Sequence, residues 1–190
     1  MRKADLRKLM LQQRKALPLE EVNFRSQRMA SLFFQRFRLN PGITVHVFLP
    51  IIRNKEVNTW PFIERLRLEH PEVRVAVPVT DITENNLSHH ILTDEAVLVE
   101  NAWGIPEPQH AHVISAAEVD MVLLPLLAFD KTGHRVGYGK GYYDRFLADC
   151  RPNVLKIGLS LEPPVEQIAD AGLHDIPLDF AITPAGIWAF

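Results

Sequence analysis

Apolar residues recur at helical spacing near the start of the chain. Leu6, Leu9, Met10 and Leu17 lie along one side of the stretch from Lys3 to Ala16, and Lys8, Gln12, Gln13 and Lys15 occupy the other. That period predicts an amphipathic helix, and Pro18 ends it. A second helix is expected from about Leu19 to Phe37, turning Val22, Met29, Leu32, Phe33 and Phe37 inward, with Pro41-Gly42 as its stop. The pattern then changes. Thr44 to Leu49 is a short β-branched and aromatic run and reads as a strand; Thr59 and Pro61 open a helix holding Phe62, Ile63 and Leu66; Val73 to Val77 is the next strand. Strand, helix and strand in that order predict a βαβ unit and a parallel sheet. The alternating, turn-rich stretch from Thr80 to Val99 predicts additional antiparallel strands. Asp120 to Pro125 reads as a buried strand, Gly141 to Cys150 as a helix, and Val154 to Leu159 and Asp179 to Thr183 as two more strands. The expected fold is α/β: a single three-layer domain over residues 1–190, with a mostly parallel central sheet and helices on both faces.

Composition narrows the possible partners. The 190 residues are 47% hydrophobic and 23% charged, an ordinary globular balance with enough apolar material for one core. A net charge of −2 gives no global basic field for nucleic acid, so any local basic site is expected to bind something small. Cys150 is the only cysteine, which excludes an internal disulfide and a thiolate zinc cluster and fits a reducing cytoplasm. No window approaches the ~18 consecutive apolar residues of a membrane span. A monomer or weak homodimer acting on small molecules, with neither nucleic acid nor membrane as partner, is the expectation.

The run Arg135-Val136-Gly137-Tyr138-Gly139-Lys140-Gly141-Tyr142-Tyr143-Asp144 carries the chemistry. Glycines at every second position remove Cβ atoms and permit positive φ, so successive N–H groups can converge on an anion. Lys140 and Arg135 supply positive charge, and Asp144 can hold a hard cation that bridges phosphate oxygens. A Walker loop needs Ser or Thr after its lysine, and here Gly141 follows Lys140; a dinucleotide turn needs G-x-G-x-x-G, and this run is G-x-G-x-G. A plain surface loop is the alternative. The neighbouring strand and helix favour a ligand loop, since ligands sit at strand-to-helix junctions of α/β sheets. His89-His90 and His110-Ala111-His112 lack carboxylate partners at ligand spacing and are expected to be exposed or capping residues.

Five ordered segments carry a resemblance: Lys3-Ala4-Asp5-Leu6-Arg7, Glu56-Val57-Asn58-Thr59, Trp103-Gly104-Ile105-Pro106-Glu107-Pro108, Phe129 through Arg145, and His174-Asp175-Ile176-Pro177-Leu178-Asp179. With these the chain resembles the 5-formyltetrahydrofolate cyclo-ligases, also called 5,10-methenyltetrahydrofolate synthetases. The resemblance implies ATP- and Mg2+-dependent closure of 5-formyltetrahydrofolate to 5,10-methenyltetrahydrofolate, with release of ADP and phosphate. It implies that Lys3, Ala4, Asp5, Leu6 and Arg7 reach the ATP phosphates, and that Arg135, Val136, Gly137, Tyr138, Gly139, Lys140, Gly141, Tyr142 and Tyr143 wrap them. Lys140, Arg135 and Tyr142 are the expected catalytic residues. The folate would meet Leu49, Glu56, Trp103 and Tyr138 through Tyr142. Asp144 and Asp179 are the expected Mg2+ ligands, with His174 orienting Asp179.

On the residues alone other readings stay open. Lys3 and Arg7 could be a solvated helix face, Asp144 a helix-start acid, Asp179 a strand leader, Glu56 a surface acid beside Lys55, and Trp103 a packing residue. Asn58 stands where the family has an acid, Val136 where it has Leu, and Lys140 where many members have Gly. A non-catalytic nucleotide or folate sensor is the alternative function. An ATP-independent sugar-phosphate isomerase on a similar scaffold is a third.

Overall fold

The computed structural model describes residues 1–190 apart from Ile82, Asn85, Trp103 and Leu173. In chain order it contains α1 (Lys3–Ala16), α2 (Leu19–Arg36), β1 (Thr44–Val47), α3 (Trp60–Glu69), β2 (Arg74–Asp81), β3 (Asn86–Ile91), β4 (Leu98–Glu100), β5 (Pro106–Pro108) and β6 (Val113–Ile114). Then follow β7 (Met121–Pro125), β8 (Ala128–Phe129), β9 (Arg135–Val136), α4 (Tyr142–Asp149), β10 (Leu155–Leu159), β11 (Phe180–Thr183) and β12 (Gly186–Ala189). The main sheet runs β12-β11-β10-β7-β1-β2-β3-β6. Its centre, β11 through β2, is parallel, and both flanks are antiparallel.

Alternation along the strands explains the layers. Val45 and Val47 of β1, with Val75, Val77, Leu123, Ile157 and Leu159, pack against Met29 and Phe33 of α2 and Phe62, Ile63 and Leu66 of α3. The intervening Ala76, Val122, Leu124 and Ala181 face the other way, onto Phe146 and Leu147 of α4. Both faces are therefore covered, as a parallel sheet requires. A smaller cluster joins Leu6 and Met10 of α1 to Leu127, Ala128 and Val136 beside the β8–β9 hairpin.

The chain leaves β1 through α3 toward β2, whereas it leaves β7 through α4 toward β10, on the opposite face. The adjacent carboxyl ends of β1 and β7 thus diverge, which is where an open α/β sheet leaves a crevice.

Two sequence expectations change. The glycine run does not follow β7 directly, because β8 and β9 intervene. Asp130, itself buried, closes their turn by accepting from the Thr132 and His134 N–H groups, at 2.9 and 3.1 Å. His89 is neither exposed nor capping: it is buried, stacks on Phe146 at 3.9 Å and contacts His46 Nε2 through Nδ1 at 3.2 Å.

Candidate functional site

A cleft of about 610 Å3 opens at the carboxyl ends of β1, β2 and β7, within the size range of ligand pockets. Phe48 and Leu49 enter it just after β1, Pro78 and Thr80 from β2, and Pro125 from the end of β7. Gly137 through Tyr143 form the opposite wall, and Lys3 and Arg7 reach in from α1. Five separate stretches of sequence thereby share one concavity.

The loop's shape comes from its glycines at two positions. Gly139 and Gly141 have φ of +91° and +71°, which side chains resist. A Cβ on Gly139 would also sit 3.1 Å from Arg7 Cζ. Arg7 lies there because its Nε donates to the Gly137 carbonyl at 2.9 Å. Gly141 forms the N-terminal cap position of α4, so Tyr142 and Tyr143 open that helix at the cleft. Lys140 is exposed, and among the described residues its ammonium has no partner, which leaves it available to an anion.

Arg135 is a brace. It is 8% exposed, donates to the Asp144 carboxylate at 2.7 Å and to the Ile176 carbonyl, and so ties the loop to the 170s segment. Burial lowers its pKa against the opposing pull of Asp144. Asp144 Oδ1 takes both Arg135 and the Ile176 N–H, and the side chain still lines the cleft. Asp175 lines it too, holding Lys3 Nζ. Burial alone would raise the Asp175 pKa, but the Gly172 N–H and the Lys3 ammonium bring it below the usual range.

At the other end Glu56 is 5% exposed. One oxygen accepts the Ile51 N–H at 2.8 Å and the other accepts the Tyr138 hydroxyl. Burial raises its pKa, opposed by those two donors and by Arg14. Its neighbour Lys55 sits at φ +50°, a left-handed conformation unusual for a side chain, and donates to the Lys15 and Leu17 carbonyls at the end of α1. The connector before Glu56 is therefore anchored at its base.

Several expected site residues lie elsewhere. Leu6 is fully buried in the cluster under α1, and Val136 is 1% exposed in the same cluster; neither side chain faces the cleft. Ala4 and Asp5 are exposed and do not line it, so of the first segment only Lys3 and Arg7, one helical turn apart, do. Asp179 sits at the amino end of β11, whereas the cleft is at carboxyl ends. Its carboxylate is engaged by Lys156, through the backbone N–H at 2.8 Å and Nζ at 2.9 Å. His174 is exposed and has no bond to Asp179. Asn58 binds the Asn23 side chain and accepts the Trp60 N–H at 3.1 Å, joining α2 to the start of α3. Trp103 falls outside the described residues. Two residues that sequence reasoning did not single out emerge: Asp175 in the cleft, and Arg14 behind it.

The sequence model of the 5-formyltetrahydrofolate cyclo-ligase family matches residues 1–184. The chain belongs to this family. It is 30% identical to the 5-formyltetrahydrofolate cyclo-ligase of Escherichia coli K12 over 93% of the chain and 97% of that protein. Among solved structures, the 5,10-methenyltetrahydrofolate synthetase of Aquifex aeolicus superposes with a TM-score of 0.79 at 28% identity, covering 100% of this chain and 93% of that one. The corresponding Mycoplasma pneumoniae enzyme gives 0.71 at 26% identity, covering 96% and 98%. Family membership thus spans the cleft and every element around it.

Proposed function

We propose that this protein is an ATP-dependent ligase that closes 5-formyltetrahydrofolate to 5,10-methenyltetrahydrofolate in the cleft between the glycine loop and Glu56. The observation that carries this reading is the bond between Tyr138 and Glu56. It joins the glycine loop to a buried carboxylate, so a phosphate end and an end fitted for an N–H-rich heterocycle face each other in one concavity. The relatives' names supply the folate that matches the second of those ends, and a nucleotide is the phosphoryl donor that fits the first.

The phosphate end would be gripped by Lys3 and Arg7 from α1 and by Lys140 and the loop amides from α4's side. Glu56, with both oxygens already oriented, would accept the pterin's amino and ring N–H donors, and Phe48, Leu49 and Leu87 would pack the ring. A formamide oxygen is a poor leaving group, so closure onto that carbon needs activation. The formyl oxygen attacks the γ-phosphorus and ADP leaves. N10 then adds to the activated carbon, its proton leaves to water or to the departing phosphate, and phosphate departs with that oxygen, forming the N10–C bond and breaking the C–O bond. No enzyme nucleophile is consumed. Alignment of the two substrates and stabilisation of charge on the moving phosphoryl by Lys140 are the protein's contribution. Arg135 acts as the brace that holds Asp144, and Tyr142 starts the helix behind the loop.

Mg2+ fits this end as the companion of a nucleotide. No group of three metal-ligating side chains occurs among the described residues, but of the carboxylates lining the cleft Asp144 and Asp175 stand with Arg135 and Lys3 at the phosphate end, and Mg2+ prefers one or two carboxylates with phosphate oxygens and waters. Asp175 takes the place expected for Asp179. Bound there, the ion would neutralise phosphate charge.

Purified protein given MgATP and 5-formyltetrahydrofolate should generate the near-ultraviolet absorbance of the methenyl product only when both substrates are present. ATP binding by calorimetry with no product would reject the ligase and leave the sensor reading. Product without ATP would reject both.

A further inference from the structure

Arg14 is the last buried cation of α1, 7% exposed, and lies behind the cleft rather than in it. Its Nη2 donates to the Leu126 carbonyl at 2.7 Å, and its Nη1 donates to the Tyr138 hydroxyl at 2.9 Å. That hydroxyl donates in turn to Glu56. A buried guanidinium, a phenol and a buried carboxylate thus form one directed chain of hydrogen bonds, and each Glu56 oxygen keeps acceptor capacity beyond the bond it already takes. The first backbone anchor, Leu126, follows β7, and the carboxylate follows β1, so the chain crosses the crevice floor between the two diverging strands.

We propose that Arg14 is a positioning residue for the pterin subsite: through Tyr138 it holds the Glu56 carboxylate in place to accept the folate's N–H donors. This rests on the cyclo-ligase reading of the cleft. Tyr138 alone could rotate away, since the residue is 38% exposed and lines the cleft, while its hydroxyl is held by Arg14 and Glu56. Arg14 also supplies the positive charge that opposes the burial of Glu56. The other groups around Glu56 do not replace it. Tyr143 of α4 faces it as a buried neutral phenol whose pKa burial pushes up; Lys55 is turned to the α1 carbonyls; Arg53 lines the open cleft. With Arg14 removed, Glu56 should bind a proton at higher pH, and a protonated carboxyl offers the pterin one acceptor fewer.

The test titrates carboxyl-13C-glutamate-labelled protein, with the Glu56 resonance identified through Glu56→Gln, in wild type, Arg14→Gln, Arg14→Lys, Tyr138→Phe and the Arg14→Gln/Tyr138→Phe double variant. Steady-state rates are measured on the same proteins. In Arg14→Gln, Glu56 should titrate at higher pH. The KM for 5-formyltetrahydrofolate should rise about tenfold, as loss of a charge-assisted hydrogen bond implies. The KM for ATP should stay within about twofold. The acid limb of kcat/KM for the folate should move up with the Glu56 titration. Arg14→Lys should keep the titration near wild type, and adding Arg14→Gln to Tyr138→Phe should cost less than about threefold more, because both act on one path. An unchanged Glu56 titration in Arg14→Gln, or equal losses toward ATP and folate, would overturn the proposal. Absence of wild-type turnover would defeat the cyclo-ligase reading instead, and the titration, which needs no substrate, would still decide whether Arg14 sets Glu56.

Discussion

Replacing Gly139 by alanine perturbs the phosphate end at one defined place. The new Cβ would stand 3.1 Å from Arg7 Cζ and 3.2 Å from Nη2, on a backbone at φ +91°. Left-handed backbone costs a side chain about 1–2 kcal/mol. The guanidinium can yield only by straining or breaking its 2.9 Å bond to the Gly137 carbonyl, and a bond from a charged donor is worth about 1.5–3 kcal/mol. Partial relief by movement of Arg7 puts the total near 2–4 kcal/mol. The loop is exposed and can relax without unfolding the sheet, so the loss should appear when the loop must be ordered around a nucleotide. We expect kcat/KM for ATP to fall about 30- to 1000-fold, with Tm lowered by no more than about 4 °C. Gly137→Ala is the internal comparison. Its Cβ would meet no atom within 4 Å, and its Tm should equal the wild type's. Steady-state kinetics with ATP varied at saturating folate, alongside thermal melts, make the measurement. Wild-type kinetics for Gly139→Ala would refute the reasoning, since they would mean that neither the left-handed turn nor the seat of Arg7 matters to phosphate binding.

Lys140→Ala should lower kcat about 100-fold while the folate KM stays within about threefold, because an otherwise unpartnered ammonium would be used on the moving phosphoryl; single-turnover rates check it. Asp144→Asn should raise the Mg2+ concentration needed for half-maximal activity, whereas Asp179→Asn should leave that Mg2+ titration unchanged and lower Tm instead, through its lost pairing with Lys156. The His46–His89 pair predicts acid sensitivity. Burial lowers the His89 pKa to about 4 and holds His46 well below its usual value. The folded state thus favours neutral rings, and the unfolded chain binds more protons below pH ~6.5. Their contribution is complete above that pH and is lost as pH falls toward 4. Melts over pH 4–7 should show this slope, and His89→Gln should flatten it.

The parallel centre of the fold was legible because strands covered on both faces must be apolar throughout, as Met121–Leu124 is. The helix of Lys3–Ala16 was legible from its period. The β8–β9 hairpin was not: two-residue strands carry no periodic signal, and Asp130 looks like a loop acid until its turn partners are seen. The cleft was legible in its glycines, whereas Glu56 was singled out only through the family resemblance, since a lone acid beside Lys55 reads as a surface residue until its burial is seen. Asp175 and Asp179 stand four residues apart in one segment, and nothing local says which reaches the cleft; the choice is made by where the chain descends to the amino end of β11. Arg14 reads as a favourable cation at a helix end. Its burial arises only when a loop 124 residues further along folds over it. His89 looked like a surface residue of a turn-rich hairpin, yet β3 alternates, and its His89 face meets Phe146 of α4 across the sheet.

The central claim is that one cleft holds a nucleotide's terminal phosphates against a folate. A crystal structure with ADP, Mg2+ and 5-formyltetrahydrofolate bound tests it most directly. The account predicts the β-phosphate among Lys3, Arg7 and the amides of Gly139–Gly141, the metal ion at Asp144, and the pterin on Glu56 with the formyl oxygen turned toward the phosphates. A nucleotide seated away from that loop, or a folate that makes no bond to Glu56, would contradict it.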